Sequence, residues 1–173
     1  MKKVSLVLLA LTVFVTPYAQ AKTCFGISCN YIDTNSGFQS SPPYTNWTVS
    51  GVSFVTETSC YGTIVAEIGA TDSVSRSFYV DDTYSGFSLQ FRLFLPIDTN
   101  SAYDQLVVTV TNNDTSVSEA FYYNGNTYTT QCGKRVLDLA NDYSNSDVTV
   151  TFYGSGLTAH PWQIDDVGFY AYY

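Results

Sequence analysis

The chain has 173 residues, with 15 acidic and 7 basic side chains, a net charge of −8, four cysteines and a single histidine. A negative surface repels phosphate backbones and anionic lipid headgroups, which argues against nucleic acid and membrane surfaces as partners. Neutral ligands and divalent cations suit this charge better. Aromatic residues make up 16% of the chain, a composition that favours strands over long helices.

Residues 1–21 have the three-part layout of a secretory signal peptide. Two lysines precede an apolar run over residues 4–15, and the segment ends on an A-x-A cleavage sequence at residues 19–21. The apolar run is too short to span a bilayer comfortably. We expect a mature chain of residues 22–173, a single domain with a net charge of about −10 that is released into the periplasm or medium, or held at the cell surface.

The four cysteines indicate disulfide bonds. In an exported chain an even number of cysteines is most simply paired, and four allow three pairings. We favour Cys24 with Cys29, which closes a small N-terminal loop, and Cys60 with Cys132, which joins distant strands. A zinc site is the alternative, but the chain lacks paired C-x-x-C knuckles and has only one histidine.

Short apolar-periodic runs alternate with turn-rich gaps along the mature chain, and no long window follows a helical period. The gaps are rich in the Gly, Asn, Asp, Ser and Pro residues that turns require. This spacing predicts an all-β fold, a two-sheet β-sandwich of the jelly-roll type. The predicted strands cover residues 47–55, 62–69, 74–80, 86–95, 104–111, 119–125, 134–140, 147–154 and 162–173.

Exposed aromatic and polar side chains in loops and at strand ends are candidates for ligand binding. Neutral sugars stack on aromatic faces, and their hydroxyl groups need polar partners. Arg92 lies on the polar face of the best-patterned strand and could reach a groove, whereas Trp47 and Trp162 are expected in the core. The candidate ligand-binding residues are Tyr44, Tyr84, Arg92, Tyr103, Tyr123 and Tyr128.

The closing strand changes its side-chain phase in the middle. Apolar residues occupy even positions up to Ile164 and odd positions from Val167 onwards. If all of them reach the core, one extra residue must be inserted between them, which predicts a β-bulge at Asp165 and Asp166.

Three interpretations of Asp165 and Asp166 are open. In the first, the two aspartates only solvate a strand edge and discourage edge-to-edge pairing. Alternatively, the bulge brings a carboxylate and a free carbonyl towards one point, which suits calcium. A catalytic pair is disfavoured, because adjacent residues of an extended strand point to opposite faces.

Three short motifs resemble bacterial jelly-roll carbohydrate-binding modules of the galactose-binding-like superfamily. They are NSGFQ at residues 35–39, NWTVSG at 46–51 and WQIDDVGFY at 162–170. The modules begin with an N-G-G-F-E segment and a Trp and finish on an I-D-D-V-x-L strand, and the MAM domains of animal surface proteins end similarly. The resemblance covers roughly residues 30–173.

The resemblance implies a structural calcium between the first segment and the last strand. Asp165 matches the aspartate ligand of the family, and Asp166 and Gln39 are the further candidate ligands. Gln39 stands where the family usually has Glu, and an amide oxygen can coordinate calcium but brings no charge.

The chain shows no catalytic signature of the G-x-S-x-G or H-E-x-x-H kind. We therefore predict a secreted, non-catalytic module that binds a carbohydrate or another extracellular ligand, without nucleic acid and without membrane insertion. A structural or adhesive protein of the cell surface or matrix is the alternative. A small glycan-active hydrolase or lyase is the third hypothesis, since Glu57, Glu67, Glu119 and several aspartates could supply two carboxylates.

Overall fold

The computed structural model describes residues 22–57, 64–95, 103–125, 132–156 and 161–173, so the predicted signal peptide lies outside the described residues. Within these ranges no helix is long and apolar enough to cross a membrane. The strands are β1 (Thr23–Phe25), β2 (Ser28–Asn30), β3 (Thr48–Ser50), β4 (Ser53–Thr56), β5 (Ile64–Ile68), β6 (Ser73–Val80), β7 (Gly86–Phe94), β8 (Gln105–Asn112), β9 (Val117–Asn124), β10 (Gly133–Leu139), β11 (Ser146–Ser155) and β12 (Trp162–Tyr172).

The strands form two antiparallel sheets, which confirms the predicted two-sheet β-sandwich. In the seven-stranded sheet, one edge of β12 pairs with both β2 and β5, its other edge pairs with β7, and β1, β4 and β10 lie further out. The five-stranded sheet has the order β3-β6-β11-β8-β9.

The hydrophobic core lies between the two sheets and is rich in aromatic rings. Phe169 of β12 is fully buried, and its ring contacts those of Phe78 and Phe87 at centroid distances of 4.9 and 5.9 Å. Trp47 and Trp162 are both buried, which confirms the prediction that they belong to the core. The inward-facing apolar residues of the long strands include Leu89, Phe91, Leu93, Leu106, Val108, Val110, Val148, Val150, Phe152 and Ile164.

The predicted strand over residues 47–55 is wrong in one respect, because it is two strands in different sheets. β3 pairs with β6 in the five-stranded sheet, and β4 pairs with β5 in the seven-stranded sheet. The chain crosses between them at Gly51, whose φ of 74° is a conformation that favours glycine. The short hairpin of β1 and β2 was not predicted as strand at all.

The disulfide prediction is confirmed for its N-terminal pair. Cys24 and Cys29 are bonded and lie directly opposite each other in the β1–β2 hairpin. Cys132 is also disulfide-bonded, and its predicted partner Cys60 lies outside the described residues.

The predicted β-bulge in the closing strand is confirmed. The register between β12 and β7 shifts between Asp165 and Gly168, and Asp166 has a φ of 49°. The shift allows Ile164 and Val167 both to be fully buried, although they are three residues apart.

Glu119 of β9 fastens the loop between β10 and β11 to the five-stranded sheet. Its carboxylate accepts hydrogen bonds from the backbone N–H groups of Ala140 and Asn141, both at 2.9 Å, and from the Tyr143 hydroxyl at 3.0 Å. Burial alone would raise the pKa of the Glu119 carboxyl, but these hydrogen bonds outweigh it and hold the pKa below its usual range.

Replacing Phe169 by Ala should lower the free energy of unfolding by about 3 to 5 kcal/mol, because it leaves a cavity among several rings. Val136, which is 50% exposed, provides the control: Val136→Ala should cost less than about 1 kcal/mol. Urea unfolding measures both values, and equal losses would contradict the assigned core.

The Glu119 contacts should make stability depend on pH in a defined window. Because folding lowers the pKa of Glu119, its stabilisation is complete above the unfolded value of about 4.3 and is lost as the pH falls through the lower folded value. The difference in unfolding free energy between wild type and Glu119→Gln should therefore stay constant from neutral pH to about pH 5 and shrink at lower pH. A difference that does not change across a pH series of urea titrations would show that Glu119 carries no such role.

Candidate functional site

The outward face of the five-stranded sheet carries two exposed tyrosines in one row. In the strand register, Tyr153 of β11 lies opposite Val107 of β8, and Val107 lies opposite Tyr122 of β9. Tyr153 is 40% exposed and Tyr122 is 64% exposed. We call Tyr153, Val107 and Tyr122 the aromatic row. Because neighbouring strands are about 4.8 Å apart, the two tyrosines are about 10 Å apart along a line perpendicular to the strands.

Amide and hydroxyl side chains line one side of the aromatic row. The next outward row towards one end of the sheet, two residues away on each strand, consists of Ser155, Gln105 and Asn124, which are opposite one another. Tyr103, which is 83% exposed, lies two residues before Gln105. The backbone carbonyl oxygen of Tyr103 lies close to Gly156, since a Cβ on Gly156 would be 2.4 Å from it. Tyr103 therefore lies at the end of the sheet where Ser155 ends β11.

The rest of this outward face is polar but almost uncharged. Hydroxyl side chains dominate the rows beyond the aromatic row, and some are bonded across strands, such as Ser77 to Thr149 at 2.8 Å. Tyr79, 44% exposed, lies at the far end beside Asp147. Among the outward residues of β3, β6, β8, β9 and β11 that the structure describes, Asp147 is the single charged one. The surface therefore suits a neutral ligand.

Two of the predicted ligand-binding tyrosines are buried. Tyr123 is 5% exposed and its ring packs on Phe91, while Tyr84 is 7% exposed and packs on Phe87 and Tyr173. As placed, neither ring has a free face on which a sugar could stack. Tyr84 does form part of the wall of a cavity of about 250 Å³ at the other end of the sandwich.

The other predicted ligand-binding residues are spread over the molecule. Tyr44 is 48% exposed in the loop before β3, and Tyr128 lies outside the described residues. Arg92 is on the seven-stranded sheet, where it lies opposite Asp165 in the register, and its Nε is 3.6 Å from the Asp166 carboxylate. Among the described candidates, Tyr103 alone lies at the end of the five-stranded sheet near the aromatic row.

Sequence reasoning considered Tyr122 only as one of several tyrosines at strand ends, and it did not consider Tyr153. The signal that could have found them is strand phase: Leu106, Val108 and Val110 are inward, so Val107 and the residues paired with it must face outward.

The three predicted calcium ligands are only partly brought together. Asp165 is 1% exposed and accepts a hydrogen bond from the Asp166 backbone N–H at 2.8 Å. Gly37 lies against both Asp165 and Gln39, since a Cβ at Gly37 would be 3.0 Å from Asp165 Oδ1 and 3.8 Å from the Gln39 side chain. The Asp166 carboxylate is about half exposed and faces Arg92 instead. Over the described ranges, no three His, Cys, Asp or Glu side chains form a group that could hold a metal ion.

The fold is shared with solved carbohydrate-binding modules. TmCBM61 in complex with β-1,4-galactotriose has a TM-score of 0.59 and 16% identity, over 82% of this chain and 98% of that chain. The xylan-binding module CBM15 has a TM-score of 0.51 and 12% identity, over 73% and 88% of the respective chains. These similarities confirm the predicted resemblance to jelly-roll carbohydrate-binding modules at the level of the fold.

An enzyme structure also contains this fold. The arabinose-bound α-L-arabinofuranosidase MgGH51 has a TM-score of 0.52 and 14% identity, over 79% of this chain. This chain spans only 25% of that enzyme's length. No protein-family model matches the sequence, and no curated protein matches it significantly.

Proposed function

We propose that this protein is a secreted, non-catalytic module that binds a neutral glycan on the outward face of its five-stranded sheet. The observation that carries the proposal is the aromatic row, in which Tyr122 and Tyr153 stand two strands apart on an almost uncharged face. Amide groups of Gln105 and Asn124 lie beside it.

The chemistry of this surface matches that of a sugar chain. The C–H face of a pyranose packs on an aromatic ring, and its hydroxyl groups exchange hydrogen bonds with amides and hydroxyls. Tyrosine brings a large contact area with few rotatable bonds, so little conformational entropy is lost on binding. Because the rings stand on paired strands, the platform is formed before the ligand arrives.

The direction of the aromatic row suggests how the glycan lies. Tyr153, Val107 and Tyr122 follow one another across three adjacent strands, so a chain that contacts both rings runs perpendicular to the strands. The apolar Val107 between the rings keeps the middle of the contact dry. Gln105 and Asn124 then face one edge of the chain, where they can bind its hydroxyl groups.

The structural relatives support a glycan ligand, because one is in complex with β-1,4-galactotriose and another is a xylan-binding module. They also support the non-catalytic assignment, since both are binding modules.

The contacts of two acidic side chains support a binding module over a hydrolase. A two-carboxylate mechanism needs two acids that flank the same bond in a cleft. Glu67 is engaged by Ser53 and Gln163, and Glu119 is engaged by the β10–β11 loop. The outward residues of the described strands put no carboxylate at the aromatic row.

An adhesive role is the second candidate, and one surface feature favours it. At the tip of the disulfide-closed β1–β2 hairpin, Phe25 is 89% exposed and Ile27 is 72% exposed. Tips of this kind can serve as apolar anchors in contact with another protein.

Binding should depend on the aromatic row and not on other exposed tyrosines. We expect Tyr122→Ala combined with Tyr153→Ala to weaken binding to the best glycan about 5-fold to 150-fold, because each ring contributes about 0.5 to 1.5 kcal/mol of stacking and about 1.4 kcal/mol is tenfold. Affinity electrophoresis against galactan, xylan and other neutral polysaccharides would identify the glycan, and calorimetry would measure the loss.

Tyr79→Ala is the matched control, because Tyr79 is exposed on the same face but lies at its far end. All variants should remain folded, with at most a modest fall in melting temperature, since the replaced rings lie on the outward face of the sheet and outside the core. Equal binding by the double variant and the wild type would refute the assignment of this face. Sugar released in the binding assays would refute the non-catalytic assignment.

A further inference from the structure

The side chain of Gln39 joins two segments of backbone beside the closing strand. Its amide Nε2 donates hydrogen bonds to the carbonyl oxygen of Gly37 and, at 3.1 Å, to the carbonyl oxygen of Ile64. Ile64 is the first residue of β5, whereas Gly37 belongs to the segment that precedes β3. One N–H₂ group therefore serves carbonyls from two places that are distant in sequence.

The same place is where the family resemblance predicts calcium. Gly37 separates Gln39 from the buried Asp165 carboxylate, with a Cβ at Gly37 only 3.0 Å from Asp165 Oδ1. A cation at such a point would balance the partial negative charge of the carbonyl oxygens and the full charge of the carboxylate.

In this chain, protein groups lie next to both the two carbonyl oxygens and the Asp165 carboxylate. The Gln39 amide supplies positive hydrogen atoms to the two carbonyls. The Asp166 backbone N–H donates to Asp165 at 2.8 Å. Arg92, which is opposite Asp165 in the strand register and has its Nε 3.6 Å from the Asp166 carboxylate, brings a positive charge to this part of the sheet. This hydrogen bond and this charge offset part of the cost of burying the Asp165 carboxylate.

The residue type at position 39 decides between the two arrangements. Glutamate, which the family usually has there, cannot donate a hydrogen bond, so its carboxylate and the two carbonyls would repel one another unless a cation lay between them. Glutamine has nearly the same shape and carries its own donor. The difference of one amide group thus changes what this site requires.

We infer that the Gln39 amide takes the place of the structural calcium in this chain, so that the segment of residues 35–39 closes onto β5 and β12 without a metal ion. Of the ligands predicted from the resemblance, Gln39 then joins Gly37 to Ile64 by hydrogen bonds, and Asp165 accepts a hydrogen bond from the Asp166 backbone. This inference does not depend on the proposed glycan binding, which concerns the other sheet.

Melting temperatures of the mature protein in chelator and in excess calcium test the inference. The wild type should melt at the same temperature in both. Gln39→Glu should melt lower than wild type in chelator and should regain about 2 to 4 °C or more when calcium is added. Gln39→Leu removes the amide without creating a carboxylate, so it should melt lower in both conditions.

Calorimetric titration with calcium chloride gives a second readout that does not require a shift in melting temperature. The wild type should show no binding heat, whereas Gln39→Glu should bind calcium. Calcium binding or calcium-dependent melting of the wild type would overturn the inference. A Gln39→Glu variant that folds but does not respond to calcium would also overturn it.

Discussion

The bulge in β12 is the constraint on which the seven-stranded sheet depends. This strand lies in the middle of the sheet, with β7 on one edge and both β2 and β5 on the other. Without the extra residue at Asp165 and Asp166, either Trp162 and Ile164 or Val167 and Phe169 would point away from the core between the sheets. Burying each of these large side chains is worth about 1.5 to 3 kcal/mol, so removing two of them from the core would cost about 3 to 6 kcal/mol, a large share of the roughly 5 to 15 kcal/mol that stabilises a typical domain.

The two sheets differ in how regular their strand pairing is. Where β12 changes register, the segment after β2 runs along its free edge, with Val167 N–H donating to the Ser36 carbonyl at 2.9 Å and Tyr31 N–H donating to the Phe169 carbonyl at 2.8 Å. That segment carries Gln39 to the site beside Asp165. The strand pairs of the five-stranded sheet keep a continuous register, so their outward residues form straight rows, and the aromatic row is one of them.

The features of the fold that follow from the periodicity of apolar residues could be predicted from the sequence. Alternating apolar residues predicted the strands and the sandwich, and the change of phase after Ile164 predicted the bulge. The same reasoning could not distinguish two neighbouring tyrosines. Tyr122 and Tyr123 are adjacent in β9, and only the pairing of β9 with β8 shows that Tyr122 faces outward and Tyr123 faces inward. Likewise, the contact of Gln39 with Ile64 depends on tertiary structure that local patterns do not encode.

The most direct test of the account is to map the bound glycan on the protein surface by NMR. Titration of the isotope-labelled mature chain with the best-binding oligosaccharide should shift the signals of outward residues around Tyr153, Val107 and Tyr122, and leave those of the seven-stranded sheet unchanged. Shifts confined to the β1–β2 hairpin or to the cavity beside Tyr84 would contradict the assignment of the binding face.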